Sequence, residues 1–349
     1  MKKRERILSI GMPVVAILAA LLIGAVLIVG SGESPLKVYA IMIKGAVGDW
    51  RSLTDTLVKT TPLVFTSLAF AFAAKCSVWN IGAEGQLYMG ALASVAVGVY
   101  CTGLPTVIHL PLALLAGAVA GGLWAGIAAW LRIQLRINEV VNTIMMNYIA
   151  TLIASALVYG PMIEHEGKSP QTRAVLETAE LPVLFSGTKL HAGIILAVLS
   201  CVFFFVVFKY TKFGYRITAV GYNEEAARFN GISIRRSIFL SMFISGIFAG
   251  LAGAVEMLGT NHRLIIGFSP AYGSDGIAVA LLGQLNALGM FLSAFLFGAL
   301  RMGATAMQRQ TEVPMQLISI IQGIIVLFVI AGSALKLILQ NKIQKKELM

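Results

Sequence analysis

Short polar segments divide this sequence into long apolar runs, and those runs decide what it can fold into. Roughly 20 apolar residues in a helix cross the hydrocarbon core of a bilayer. Ten runs reach or approach that length: 7–30, 56–75, 86–103, 108–131, 139–160, 190–209, 237–258, 273–286, 288–306 and 315–336. Lipid offers no partner to a bare peptide N–H or C=O, so such runs must be helical. With 58% hydrophobic and 12% charged residues, the chain has too little polar surface for a soluble domain. The expected fold is an all-α polytopic membrane protein with about ten transmembrane helices.

The net charge is +11. Its distribution points to topology rather than to nucleic acid. Lys2, Lys3, Arg4 and Arg6 precede the first run, Arg132 and Arg136 fall between the fourth and fifth, and Lys209, Lys212, Arg216, Arg228, Arg235 and Arg236 between the sixth and seventh. The tail after residue 336 is also basic. Ten crossings put all of these on one side, which the positive-inside rule makes cytosolic, both termini included. The opposite segment, 161–189, sets Glu164, Glu166, Glu177 and Glu180 against Lys168, Arg173 and Lys189. The run 7–30 is longer than a signal-peptide core and reads as a first span. Residues 31–55 read as an outer, partly amphipathic segment. Cys76, Cys101 and Cys201 have neither disulfide nor metal spacing and read as small core residues.

Two places break the pattern. "KCSVWNIGAEGQ" (75–86) is a polar, glycine-containing interruption, and the short run at 273–286 opens on "GSDG". The segments 61–160 and 237–335 each contain four runs, with "GAEG" (82–85) and "GSDG" (273–276) at matching positions. By parity the two segments start in opposite directions, which predicts a four-plus-four inverted repeat with broken helices near the centre. "GAVAG" (117–121), "GLWAG" (122–126) and "GIFAG" (246–250) carry G-x-x-x-G spacing, and close helix packing within one subunit is the expected use.

The loop 210–236 contains a small helix of its own. Asn223 is a natural N-cap, Glu224 and Glu225 suit the positive end of a helix dipole, Ala226 and Ala227 favour helix, and Arg228 suits the negative end. Asn230 and Gly231 supply a left-handed stop. A helix of about two turns is marginal alone, so it must dock on something.

"GYNEEAARFNGISIRR" (221–236), with the run after it, resembles the cytoplasmic coupling region of permease subunits in ATP-binding-cassette (ABC) importers of the ribose, branched-chain amino acid and nucleoside type. The family pattern Gly-x-Asn-x-x-Ala-Ala-Arg-x-x-Gly-Ile falls on Gly221, Asn223, Ala226, Ala227, Arg228, Gly231 and Ile232. "KCSVWNIGAEGQLYMGAL" (75–92), "RINEVVNTIMMNYIA" (136–150) and 269–300 are similar to the same family, in the same order. Ala287 stands where the family pattern leads one to expect proline. The "WNIGAEGQ" version is most similar to the nucleoside-uptake branch. The resemblance implies one transmembrane permease domain that couples through Gly221, Asn223, Glu224, Glu225, Ala226, Ala227, Arg228 and Gly231 to a separate cytosolic ABC ATPase. It also implies a second homologous permease subunit, a heterodimer being favoured over a homodimer, an extracytoplasmic substrate-binding (lipo)protein and a place in the bacterial cytoplasmic membrane. The cargo it implies is a nucleoside, with a simple sugar such as ribose as the alternative.

Polar residues within the runs are candidates for a substrate pathway: Trp79, Asn80, Glu84, Gln86, Asn142, Asn147, Asp275 and Gln284, with Glu256 and Gln322 beside them. Amides donate and accept, which suits an uncharged, hydroxyl-rich guest. Each also reads as a bond between neighbouring helices, and Glu84 and Asp275 as helix caps. Asn142 and Asn147 are five positions apart and lie on different faces. "EGKS" (166–169) lacks the first glycine of a phosphate-binding loop, since position 162 is Met. His109, His165, His191 and His262 lie at outer span ends and form no metal motif. No catalytic residue, metal or cofactor is expected. An ion-coupled secondary transporter using Glu84, Glu256 and Asp275 is the competing reading, and it leaves the capped cytosolic helix without a use.

Overall fold

The computed structural model describes residues 2–164 and 170–311, and beyond these only 313, 316, 317, 319–325, 327 and 328; the side chains of residues 1–14 and 16 are not described. Among the described residues are twelve α-helices: α1 (Lys2–Gly30), α2 (Pro35–Val47), α3 (Trp50–Ala74), α4 (Ala83–Tyr100), α5 (Thr106–Leu135), α6 (Glu139–Tyr159), α7 (Gly193–Tyr210), α8 (Lys212–Tyr222), α9 (Glu224–Phe229), α10 (Ile234–Glu256), α11 (Tyr272–Leu282) and α12 (Ala287–Gln310). A π-helical turn, Met257–Asn261, extends α10. No strand forms among the described residues; extended pairing is limited to isolated bridges such as Gln171 with Ile265.

Among the described residues, six helices are long and apolar enough to cross a membrane: α3, α5, α6, α7, α10 with its π-turn, and α12. A seventh crossing is available if Ile17–Gly30 and α2, bent by 117°, act together. That sharp bend is what the segment 31–55 contains. The expected runs 86–103 and 273–286 are α4, with 18 residues, and α11, with 11. At about 1.5 Å per residue α11 reaches only ~16 Å of a ~30 Å core. Both short helices follow non-helical chain, at 75–82 and 262–271. The run 315–336 lies largely, and the segment 165–169 with His165 and all of "EGKS" wholly, outside the described residues. Those positions between 316 and 328 that are described as helix continue the pattern.

The chain divides into two compact units, residues 1–56 with 296–349, and residues 57–295. In the first, the Tyr39 hydroxyl on α2 donates to the Leu21 carbonyl on α1 at 2.5 Å, and Thr56 donates to the Ala46 carbonyl at 2.7 Å. An apolar cavity of about 330 Å³ is lined by Leu21, Met42, Ile43, Leu296 and Ala299 among others.

In the second unit α10 packs along α5 and α4 through backbone rather than side chains. Gly121 lies on Gly246 and Gly250, Gly117 on Gly90 and Ala254, and Gly253 on the Leu87 carbonyl. A side chain at Gly250 would overlap the Gly117 carbonyl oxygen. The G-x-x-x-G faces are therefore spent inside the chain, where close approach recovers the dispersion that lipid would otherwise supply. Gly122 and Gly126 face the rings of Phe243 and Phe239 instead. Phe72 joins α3 to α7 and α10 through ring contacts with Phe204, Phe208 and Phe248. The outer faces of α6 and α7 stay apolar and exposed, Leu152 and Leu199 among them, as lipid contact requires.

The described part of the segment 161–189 is knitted to the end of α10 and the residues after it. Thr172, Val175 and Leu181 donate their amides to the carbonyls of Leu264, His262 and Leu258 at 2.8–3.0 Å, and Arg263 pairs with Glu164 at 3.2 Å.

Candidate functional site

The loop 210–236 contains two short helices. The sequence reading anticipates α9; α8, in front of it, is new. Thr211 caps α8 by accepting from the Gly214 amide at 3.0 Å. The helix buries Gly214, Ile217 and Val220 and exposes Lys212, Tyr215, Arg216 and Tyr222. Asn223 then breaks the chain with extended backbone, ends α8 and caps α9, accepting from the Ala226 amide at 2.9 Å. Glu224 and Glu225 occupy the first turn and Arg228 the last. At the far end the Ile232 amide reaches the Ala227 carbonyl at 3.0 Å and the Gly231 amide reaches that of Arg228 at 2.9 Å, with Gly231 at φ 73. That pair of bonds needs a left-handed residue, and glycine adopts it without strain.

Only Ala227 of α9 is buried. Glu224, Glu225, Ala226 and Arg228 are exposed, as are the rings of Tyr222 and Phe229, at 88% and 93%. Sequence reasoning passed over both aromatics. Large exposed rings beside a capped helix are the residue type that anchors protein interfaces. Gly221 differs from its neighbours: it faces inward, on the backbone of Lys75 and Cys76.

The break after α3 is a closed hydrogen-bonded knot. Asn80 and Gln86 exchange amide bonds, 3.0 Å each way, and both are buried. Asn80 also donates to the Ser245 hydroxyl at 2.7 Å, and Ser245 donates to the Ala69 carbonyl at 2.5 Å. Asn80 further accepts from the Gly82 amide at 3.0 Å. Asn147 on α6 holds the start of α4 from the other side, accepting from the Gly85 amide at 2.7 Å and donating to the Ile81 carbonyl at 3.0 Å. Asn142 points elsewhere, to the Ala128 carbonyl of α5 at 3.0 Å. The two asparagines on different faces of α6 thus hold two different neighbours. Ser245 gives no signal in the sequence beyond being one serine among several.

The two expected breaks meet. The Glu84 carboxylate accepts from the Gly273 amide at 2.6 Å, where α11 begins and its dipole favours an anion. A side chain at Gly273 would overlap the Glu84 backbone. Asp275 lies half-buried in the first turn of α11, and Gln284 is exposed past its end, where Gln284 and Leu285 both take left-handed backbone. Those two residues make the turn into α12, which begins at Ala287, without a proline. Trp79 is half-exposed, edge-on to Phe70 at 5.7 Å.

Away from the break, Lys59 on α3 lies 3.7 Å from the buried Glu256 carboxylate and 3.4 Å from the Tyr272 hydroxyl. The sequence reading names Glu256 but not its lysine. Gln322, the other candidate outside the two breaks, is buried in the first unit. No cluster of three or more potential metal ligands occurs among the described residues.

Residues 52–330 match the family described as the branched-chain amino acid transport system permease component. The guanosine ABC transporter permease protein NupP of Bacillus subtilis is 39% identical over 346 residues, 98% of this chain and 99% of NupP. The glucose ABC transporter permease protein TsgB13 of Haloferax volcanii is 37% identical, over 94% of this chain and 89% of its own. The nucleoside ABC transporter permease protein NupB of Lactococcus lactis is 30% identical, over 95% and 93%. Bacillus subtilis has a second, more distant relative of this chain, the guanosine ABC transporter permease protein NupQ, 31% identical over 70% of this chain. The polar break and the capped helices both fall inside the matched segment. The chain belongs to this permease family and is a transmembrane translocation subunit of an ABC importer, with no hydrolytic role of its own.

Proposed function

We propose that the chain moves nucleosides into a bacterial cell across the cytoplasmic membrane, with both termini in the cytosol. The observation that carries this reading is end-to-end similarity to a guanosine permease at 39% identity. A simple sugar is the second reading, favoured by the glucose permease at 37%. An extracytoplasmic binding protein delivers the cargo. A cytosolic ATPase receives α9, through Asn223, Glu224, Glu225, Ala226, Arg228 and the stop at Gly231, as a helix seated in a groove. A second permease completes the path, and the presence of two guanosine permease proteins, NupP and NupQ, in one bacterium supports a heterodimer.

Within one permease domain, 61–160 and 237–335 act as inverted halves, and their breaks meet at Glu84 and Gly273. Asn80, Gln86, Asn142 and Asn147 shape the path from behind, since their amides are engaged with neighbouring helices. Trp79, Glu84, Asp275 and Gln284 are the pathway candidates with exposed or half-exposed side chains.

The test is uptake by the reassembled transporter in proteoliposomes, with labelled guanosine competed by other nucleosides, ribose and glucose. Competition by nucleosides alone is expected. Competition by ribose or glucose alone transfers the assignment to sugars. Ion-driven uptake that persists without any ATPase overturns the reading altogether.

A further inference from the structure

Besides its packing on α7 and α10 and the Phe213 ring near Phe72, the coupling segment is hydrogen-bonded to the end of α3 by a residue of unusual conformation. The helix α3 ends in the same double-bonded stop as α9: the Val78 amide reaches the Ala73 carbonyl at 3.2 Å, and the Ser77 amide that of Ala74 at 2.9 Å. This stop calls for a left-handed residue, usually glycine. Here it is Ser77, at φ 54, a conformation that is uphill for a residue with a Cβ. The serine hydroxyl has a use: it donates to the Gly221 carbonyl at 2.7 Å. Gly221 in turn leaves no room for a side chain, because a Cβ would overlap the Lys75 carbonyl oxygen and lie 3.2 Å from the Cys76 carbonyl carbon. Gly221 is two residues before the hinge at Asn223, and Ser77 is three residues before Asn80. The hydroxyl therefore joins the α8–α9 hinge to the knot formed by Asn80, Gln86 and Ser245.

We propose that Ser77 and Gly221 form a latch that carries displacement of α9 into the break at 78–86, with Ser77 as a positioning residue. The latch rests on the reading that an ATPase moves α9. A chain whose coupling helices were attached only through α7 and α10 would deliver that motion to two span ends. The latch delivers it to the start of α4, and through Glu84 and Gly273 to α11.

The experiment uses the full transporter in proteoliposomes and counts ATP hydrolysed per labelled guanosine taken up. Ser77→Ala is expected to keep the ATPase in the complex and raise that ratio about five-fold, the factor matching loss of one hydrogen bond. Ser77→Gly removes the same hydroxyl while relieving the left-handed strain, so it should uncouple equally. An unchanged ratio in both variants, or tight coupling in Ser77→Gly, overturns the latch and leaves the ATPase reading in place. Arg228→Glu is the separate arm. Uptake and ATPase retention both untouched in that variant would overturn the ATPase reading, and the latch with it.

Discussion

His191 offers a perturbation whose size follows from its surroundings. It precedes α7, which starts at Gly193, and so lies outside that span. It is 1% exposed, it accepts from the Gly193 amide at 3.2 Å, and its other ring nitrogen faces the Thr260 hydroxyl at 3.3 Å. Its ring fills the space over Gly259 in the π-turn. Burial, and after it the charges of His262 and Lys59, push its pKa down to about 4 from an ordinary 6.5. A histidine held neutral in the fold takes up its proton more readily when unfolded, so stability rises with pH through this window. The contribution is fully present above 6.5, is lost as pH falls, and levels off below about 4. The whole shift is worth roughly 3 kcal/mol, and single-site linkage places about 2 kcal/mol of it between pH 7.5 and pH 5. Thermal unfolding of the purified chain at those two pH values, beside His191→Gln, isolates the effect. Other groups nearby, the 3.4 Å contact of Glu180 with His262 among them, are common to both proteins and cancel. The variant should start less stable at neutral pH and lose clearly less on acidification. Parallel pH dependence in the two proteins would refute the reasoning.

Asn80→Ala strands the buried Gln86 amide and removes a partner from Ser245 and Gly82; a loss of about 2–3 kcal/mol is expected in thermal unfolding. Gly250→Val drives a side chain into the Gly117 carbonyl, where two helix backbones cannot part cheaply, and should cost ~1–3 kcal/mol or more. Gly30→Ala, with open space around it, is the neutral control for the same assay. Gly231→Pro cannot adopt φ 73 and cannot donate the Gly231 bond to Arg228; uptake should vanish while the subunit still reaches the membrane, and normal uptake would deny α9 its role.

Much of this was readable before any coordinates. Apolar run length located nearly every span, because lipid enforces one solution for the backbone. The caps of α9 were equally plain, since Asn223, the acidic pair, Arg228 and Gly231 each act through local geometry. The helix α8 was not, because glycines and β-branched residues at 212–222 hide an amphipathic turn that tertiary contact stabilises. The amide network was half legible: buried Asn and Gln demand partners, but the partners Ser245, the Ala128 carbonyl and the Ile81 carbonyl are distant in sequence or belong to the backbone. Gly221 shows the same limit. Its place in the family pattern points to the ATPase, and only the fold reveals that it faces Lys75.

The glycine seam among α4, α5 and α10 constrains how the transporter works. Neighbouring backbones touch at Gly90, Gly117, Gly121, Gly246 and Gly250, so sliding any one helix by a residue would force carbonyl oxygens through carbon atoms. The three helices are packed as a single stiff plank. Any alternation that opens the path to one side and then the other is expected to bend at the plank's margins, where the chain leaves regular helix at 75–82 before α4 and at 262–271 beyond α10 and its π-turn.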